Sequence, residues 1–124
     1  MARVLLIDDE EQVRKLIREV LEEAGHEVAE ARNGREGTKL YEANPADLVI
    51  TDLVMPEQEG LETITGLRRR FPAVKIIAIS GAQQKLGLDL LYVAEKLGAI
   101  RTMEKPFDVR KLLALVEELL QVNP

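Results

Sequence analysis

Short apolar runs alternate with amphipathic segments five times along this chain, and that rhythm leaves few architectures open. Val4–Ile7, Glu27–Ala31, Leu48–Thr51, Lys75–Ser80 and Arg101–Glu104 read as strands, several of them almost wholly apolar. The first segment between them carries Val13, Leu16, Ile17, Val20, Leu21 and Ala24 at the spacing that builds one apolar helical face. The last carries Val109, Leu112, Leu113, Val116, Leu119 and Leu120 in the same way, with Asp108 where an N-cap belongs. Strands that are apolar on both faces, each followed by a helix, predict a parallel sheet buried on both sides. Right-handed crossovers then favour an α/β fold: a doubly wound five-stranded parallel sheet of order 2-1-3-4-5, the flavodoxin-like (βα)5 arrangement.

Punctuation agrees with this scheme. Gly25 ends the first helix, Asn33-Gly34 turns into the second and Asn44-Pro45 closes it. Gly60 precedes the third helix, Pro72 follows it and Gly98 ends the fourth. A chain of 124 residues with no linker or repeat is read as one domain over 1–124. Gln121-Val122-Asn123-Pro124 after the last helix suits either a stand-alone protein or an excised domain. The net charge of −5 argues against direct contact with nucleic acid, and Arg68-Arg69-Arg70 reads as a solvated helix end. The absence of cysteine excludes disulfides and thiolate chemistry and fits the cytoplasm. Val4–Ile7 is too short for a signal-peptide core or a membrane span. His26 reads as a surface residue, and Tyr41, Phe71 and Phe107 as packing residues, whereas Tyr92 lies in a helix apolar on more than one face.

In a sheet of this order, sites form beyond the carboxyl ends of the strands, where the first and third lie side by side. The first strand ends in Asp8-Asp9-Glu10, the third in Asp52, the fourth in Ser80 and the fifth in Lys105-Pro106. Taken alone, Asp8-Asp9 also suits a turn that caps the first helix, and Ser80 or Lys105 an ordinary surface group. Together they place several carboxylates, a hydroxyl and an ammonium on one rim. Carboxylates so close cannot all stay ionised without help, and a hard divalent cation with oxygen ligands supplies it.

These residues resemble the receiver domains of two-component response regulators. The resemblance rests on Leu5-Leu6-Ile7-Asp8-Asp9-Glu10, the run from Pro45 to Pro56 around Asp52, Ile79-Ser80-Gly81 and Lys105-Pro106-Phe107, in order and each at a strand end. It implies that Asp52 takes a phosphoryl group from the phosphohistidine of a sensor histidine kinase or phosphotransfer protein. It implies a Mg2+ cofactor held by Asp9 and Asp52, by Asp8 directly or through water, and by the backbone carbonyl of Val54. Lys105 would pair with the phosphoryl oxygens and Ser80 would hydrogen-bond to them. The Lys105-Pro106 bond would be cis. Such a domain assists its own phosphotransfer and dephosphorylation but is a phosphoacceptor switch, not an enzyme.

One departure bears on output. The family commonly carries an aromatic switch residue where this chain has Thr102. The stretch Gln83–Leu97 is rich in Leu, more than one helix face can bury, and Leu115 lies off the last helix's stripe. Phosphorylation would then reorder Leu86–Leu97, and the face of the fourth helix, fifth strand and fifth helix would meet an output partner or a second copy of the chain. Other readings remain open from the residues. A magnesium-dependent phosphatase would also use an aspartyl phosphate, but it typically shows Asp-x-Asp on the first strand. A flavin-phosphate module needs a loop that Asp8-Asp9-Glu10-Glu11 would make repulsive. A receiver-like module that is never phosphorylated would lack one of the key residues.

Overall fold

The computed structural model describes residues 2–53, 59–81, 90–105 and 107–121. Five strands and five helices alternate: β1 Arg3–Ile7, α1 Glu11–Glu23, β2 Glu27–Ala31, α2 Gly34–Ala43, β3 Leu48–Asp52, α3 Glu59–Arg70, β4 Ile76–Gly81, α4 Leu90–Leu97, β5 Arg101–Lys105 and α5 Val109–Leu120. The strands pair in parallel in the order β2-β1-β3-β4-β5. This is the doubly wound sheet that the alternation predicts, with boundaries within a residue of the expected ones. Among the described residues no helix is long and apolar enough to cross a membrane.

Alternate side chains of the central strands feed two separate cores. Leu5 and Ile7, Val49, and Ile76 and Ala78 pack with Tyr41, Ile64, Leu67 and Ala94 from α2, α3 and α4. Val4 and Leu6, Leu48 and Ile50, and Ile77 and Ile79 pack with Ile17, Leu21, Leu112, Val116 and Leu119 from α1 and α5. Each valine, leucine or isoleucine among them contributes about 1.5–3 kcal/mol when fully buried. Tyr41 and Phe71 meet edge to face with centroids 4.8 Å apart, and Phe107 packs against the second core, as expected of packing residues.

Local chemistry ends and starts the helices. Gly25, at φ 95°, turns the chain from α1 into β2 in a conformation that suits glycine. The Glu36 N–H donates to the Asn33 side chain at 2.8 Å, and the Arg110 N–H to the Asp108 side chain at 2.8 Å. Arg68, Arg69 and Arg70 are exposed in the last turn of α3, the solvated end expected of them.

Four expectations are corrected. His26 is only 9% exposed, and its Nε2 lies 3.0 Å from Glu117 on α5, a partner distant in sequence that local pattern cannot reveal. Leu16 is 51% exposed and Ala24 is also exposed, because the buried stripe of α1 is Arg14, Ile17 and Leu21. Leu115 is half-buried against the second core, since α5 packs on both the sheet and α1. Gly60 lies inside the first turn of α3 rather than before it.

The reason for Gly60 is close approach. A Cβ there would sit 2.5 Å from the Asp52 carbonyl oxygen and 2.7 Å from Leu53 Cα, whereas one at Gly66 would meet nothing within 4 Å. Gly60→Ala should therefore destabilise the protein by about 1–3 kcal/mol through overpacking against backbone. Gly66→Ala should stabilise it by about 0.5–1 kcal/mol through helix propensity. Urea unfolding of both variants checks this, and equal stability of the two would contradict the packing assigned to Gly60.

Candidate functional site

Two central strands stop where the chain turns polar. Asp8 follows β1 directly, and its N–H still donates to the Ala31 carbonyl at 3.1 Å, extending the β1–β2 pairing by one bond. Its Oδ1 accepts the Glu10 N–H at 2.8 Å, closing a turn before α1. The N-cap of α1 is Glu10, without a side-chain cap, so Asp8 shapes the turn and does not cap the helix. Asp52 is the last residue of β3, paired in register with Ile79 of β4.

The strand order makes these ends neighbours. Asp8 and Asp52 are buried, Asp9 and Glu10 exposed, and one carboxylate oxygen from each of the four lies within 4.8 Å of the others. Lys105, at the end of β5, reaches into this cluster. Its Nζ lies 3.1 Å from Asp52 Oδ2, 3.4 Å from Glu10 Oε1 and 3.6 Å from Asp8 Oδ2. Ser80 is buried at the end of β4, one residue beyond the partner of Asp52. Thr102 is half-buried on β5 opposite Ala78, so it projects to the same face as Ser80, two residues back. Val54 and Pro106, and with Pro106 the expected cis bond, lie outside the described residues.

The cluster is electrostatically strained. Burial pushes the Asp8 carboxyl up to about 6 from an ordinary 3.8. The Glu10 N–H pulls it back, the Asp52 charge raises it, Lys105 lowers it and Glu10 raises it slightly. At Lys105, burial disfavours the charge, but Asp52 by charge and hydrogen bond, then Asp8 and Glu10, outweigh it and hold the ammonium above its ordinary value. An all-oxygen donor set of this compactness suits a hard divalent cation.

One residue of this region escaped the sequence reading. Arg14 is buried on α1, and its Nη1 donates to the Asp8 carbonyl at 2.7 Å. The signal was its place three residues before Ile17 and seven before Leu21, on the buried stripe, where a charged residue is out of character.

The raised Asp8 carboxyl has a consequence for stability. Between 3.8 and about 6 the folded chain holds a proton that the unfolded chain has released. Stability therefore falls as pH rises through that window, and the ionised Asp8 is a net cost above it. Asp8→Asn keeps an acceptor for the Glu10 N–H and removes the charge. In chelator at neutral pH it should raise the unfolding free energy by up to about 3 kcal/mol, with the gain vanishing in acid below the ordinary aspartate range. Urea unfolding across that range tests it, and a pH-independent difference would contradict it.

The profile of the response regulator receiver domain matches residues 4–117. The transcriptional regulator NtrC of Azospirillum brasilense is 34% identical over 98% of this chain, which spans 25% of that protein's length. The chemotaxis protein CheY of Listeria monocytogenes serovar 1/2a is 33% identical over 95% of this chain and 98% of its own. A receiver domain protein from Clostridium thermocellum superposes with a TM-score of 0.86 at 30% identity, covering 97% of this chain and 94% of that one. The response regulator TrrA of Thermotoga maritima, solved in complex with Mg(2+)-BeF, superposes with a TM-score of 0.81 at 34% identity, covering 96% and 99%. Strand order, strand-end acids and family profile converge, and the chain belongs to the response regulator receiver domain family.

Proposed function

We propose that this chain acts as one receiver domain, a cytoplasmic phosphoacceptor switch in which Asp52 takes a phosphoryl group from the phosphohistidine of a sensor histidine kinase or phosphotransfer protein. The observation that carries the reading is the buried Asp52 carboxylate at the end of β3, 3.1 Å from Lys105 Nζ and grouped with Asp8, Asp9 and Glu10. A carboxylate oxygen of Asp52 bonds to phosphorus as the phosphorus–nitrogen bond of the donor breaks, and the released imidazole takes up a proton. Phosphoryl transfer asks the protein for positioning and charge neutralisation more than for covalent chemistry. Lys105, already paired with Asp52, would neutralise the arriving phosphoryl oxygens, and the buried Ser80 near the end of β4 would hydrogen-bond with them.

The four acids fit a magnesium ion by their all-oxygen chemistry and mutual reach, and the Mg(2+)-BeF complex of TrrA supports the same assignment. Asp9 and Asp52 would hold it, with Asp8 assisting and Val54 contributing its backbone carbonyl. When bound, magnesium supplies positive charge to the phosphoryl oxygens and relieves the repulsion among the acids. Burial first, and the Asp52 and Glu10 charges after it, raise the Asp8 carboxyl in the metal-free protein.

Output through the face of α4, β5 and α5 belongs to the same proposal, toward a partner or a second copy of the chain. Tyr92 on α4 is 56% exposed, with Lys96 Nζ 5.2 Å from its ring centroid. A shift toward an active state needs a contact that differs between the two states. With threonine at 102, that contact has to come from the Ser80 strand end and the adjoining α4.

Two outcomes test this reading. Asp52→Asn should fold, by circular dichroism, yet take no phosphoryl adduct from acetyl phosphate and magnesium in mass spectrometry. Labelling equal to wild type would refute the acceptor. Beryllofluoride with magnesium should change amide hydrogen exchange in Leu90–Leu97 as well as around Asp52. Changes confined to the Asp52 end of β3, with association unaltered, would rule out the output face.

A further inference from the structure

Arg14 is a buried cation for which phosphoryl transfer itself has no evident use. It occupies the apolar stripe of α1 and is 9% exposed. A guanidinium is expensive to bury unless its charge and its donors are met. Its Nε donates to Glu30 Oε1 of β2 at 3.1 Å, and its Nη1 donates to the backbone carbonyl of Asp8 at 2.7 Å. Glu30 is gripped from its other oxygen by Arg18, one turn further along α1. The Asp8 backbone is therefore held at both polar groups, its N–H by the Ala31 carbonyl and its carbonyl by Arg14.

We propose that Arg14 is a positioning residue for the acidic site: by fixing the Asp8 carbonyl it sets how Asp9 and Glu10 leave β1, and so how well the cluster holds a divalent cation. The inference rests on the magnesium reading given above. The Asp8 carbonyl and the Asp9 N–H share one rigid peptide plane, so orientation at the first is passed directly to the second. The planar fork of a guanidinium suits two acceptors in different directions, one on β2 and one on the turn, in a way that a single ammonium does not. Glu30 keeps that fork oriented, which ties the site to the edge strand β2 through a side chain that touches neither cation nor phosphoryl group.

Electrostatics give the test its sign. Removing a cation beside a cation site tightens metal binding by Coulomb's law alone, whereas loss of positioning weakens it. A residue that merely anchors α1 to β2 changes thermal stability and leaves metal affinity alone. Magnesium affinity is measured by calorimetry on the full chain for wild type, Arg14→Gln, Lys15→Gln and Asp9→Ala, with amide hydrogen exchange of the metal-free proteins alongside. Arg14→Gln should bind magnesium about tenfold more weakly, the scale of losing a supporting contact behind a ligand. Its Glu10 amide, bonded to Asp8 in the wild type, should exchange faster while those of Leu5–Ile7 stay protected. Lys15→Gln, an exposed charge on the same helix, should bind as wild type does or slightly more tightly. Should Arg14→Gln fail to fold, Arg14→Lys serves, because it keeps the charge and any loss of affinity is then positional. Unchanged or tighter binding in the Arg14 variant, beside a wild type that binds and an Asp9→Ala that does not, overturns the proposal. A wild type without magnesium affinity removes the metal reading and this inference together.

Discussion

Burial of β1, β3 and β4 on both faces governs everything else in this molecule. Their side chains feed one core beneath α2, α3 and α4 and another beneath α1 and α5, so neither face of these strands can carry an uncompensated charge. Polar groups are driven to the strand ends, where the backbone turns toward water. Asp8, Asp52 and Ser80 follow or finish the three central strands, and β5 delivers Lys105 beside them. The site is a by-product of the core: strands that are apolar throughout can offer chemistry only where they stop.

Concentrating acids at one rim creates a problem that the fold solves only in part. Lys105 is shared among Asp52, Glu10 and Asp8, and a single ammonium offsets a fraction of the charge that four carboxylates bring. Burial above all, with the Asp52 charge adding to it, keeps the Asp8 carboxyl well above the ordinary range. The metal-free protein is thereby less stable than it would be with a neutral side chain there. A divalent cation held among these carboxylates would offset that cost and so would couple occupancy of the site to stability of the whole domain.

The same rim joins the site to the rest of the sheet. Ser80 and Thr102 lie on one face of adjacent strands, two residues apart in register. On the other side, Asp8 is tied through Arg14 to Glu30 on β2. The first connection uses small side chains, a serine and a threonine. The second uses a charged fork with two fixed acceptors, which holds its turn in place.

Periodicity made most of this architecture readable. Apolar strands at the observed places, helix stripes such as Leu112, Val116 and Leu119, and turn residues such as Gly25 and Asn33 are local signals with local causes, and they appear in the structure where they were expected. The candidate site was readable for a related reason: once strand order follows from handed crossovers, the residue after each strand has nowhere else to go. Most of the misreadings concern partners outside the element in which the residue lies. His26 is buried because Glu117, 91 residues away, folds against it. Leu16 is exposed and Arg14 buried because Glu30 and the Asp8 carbonyl reward the guanidinium on that stripe. Gly60 lies inside α3, and it is a glycine because the Asp52 backbone passes too close for a side chain. Sequence by itself determined the elements, their order and the chemistry at their ends, since these depend on neighbours within a turn or a strand. Only the tertiary structure decided which charges are buried, which acid titrates abnormally and which cation holds which carbonyl, because burial and Coulomb energy depend on distances that no local pattern encodes.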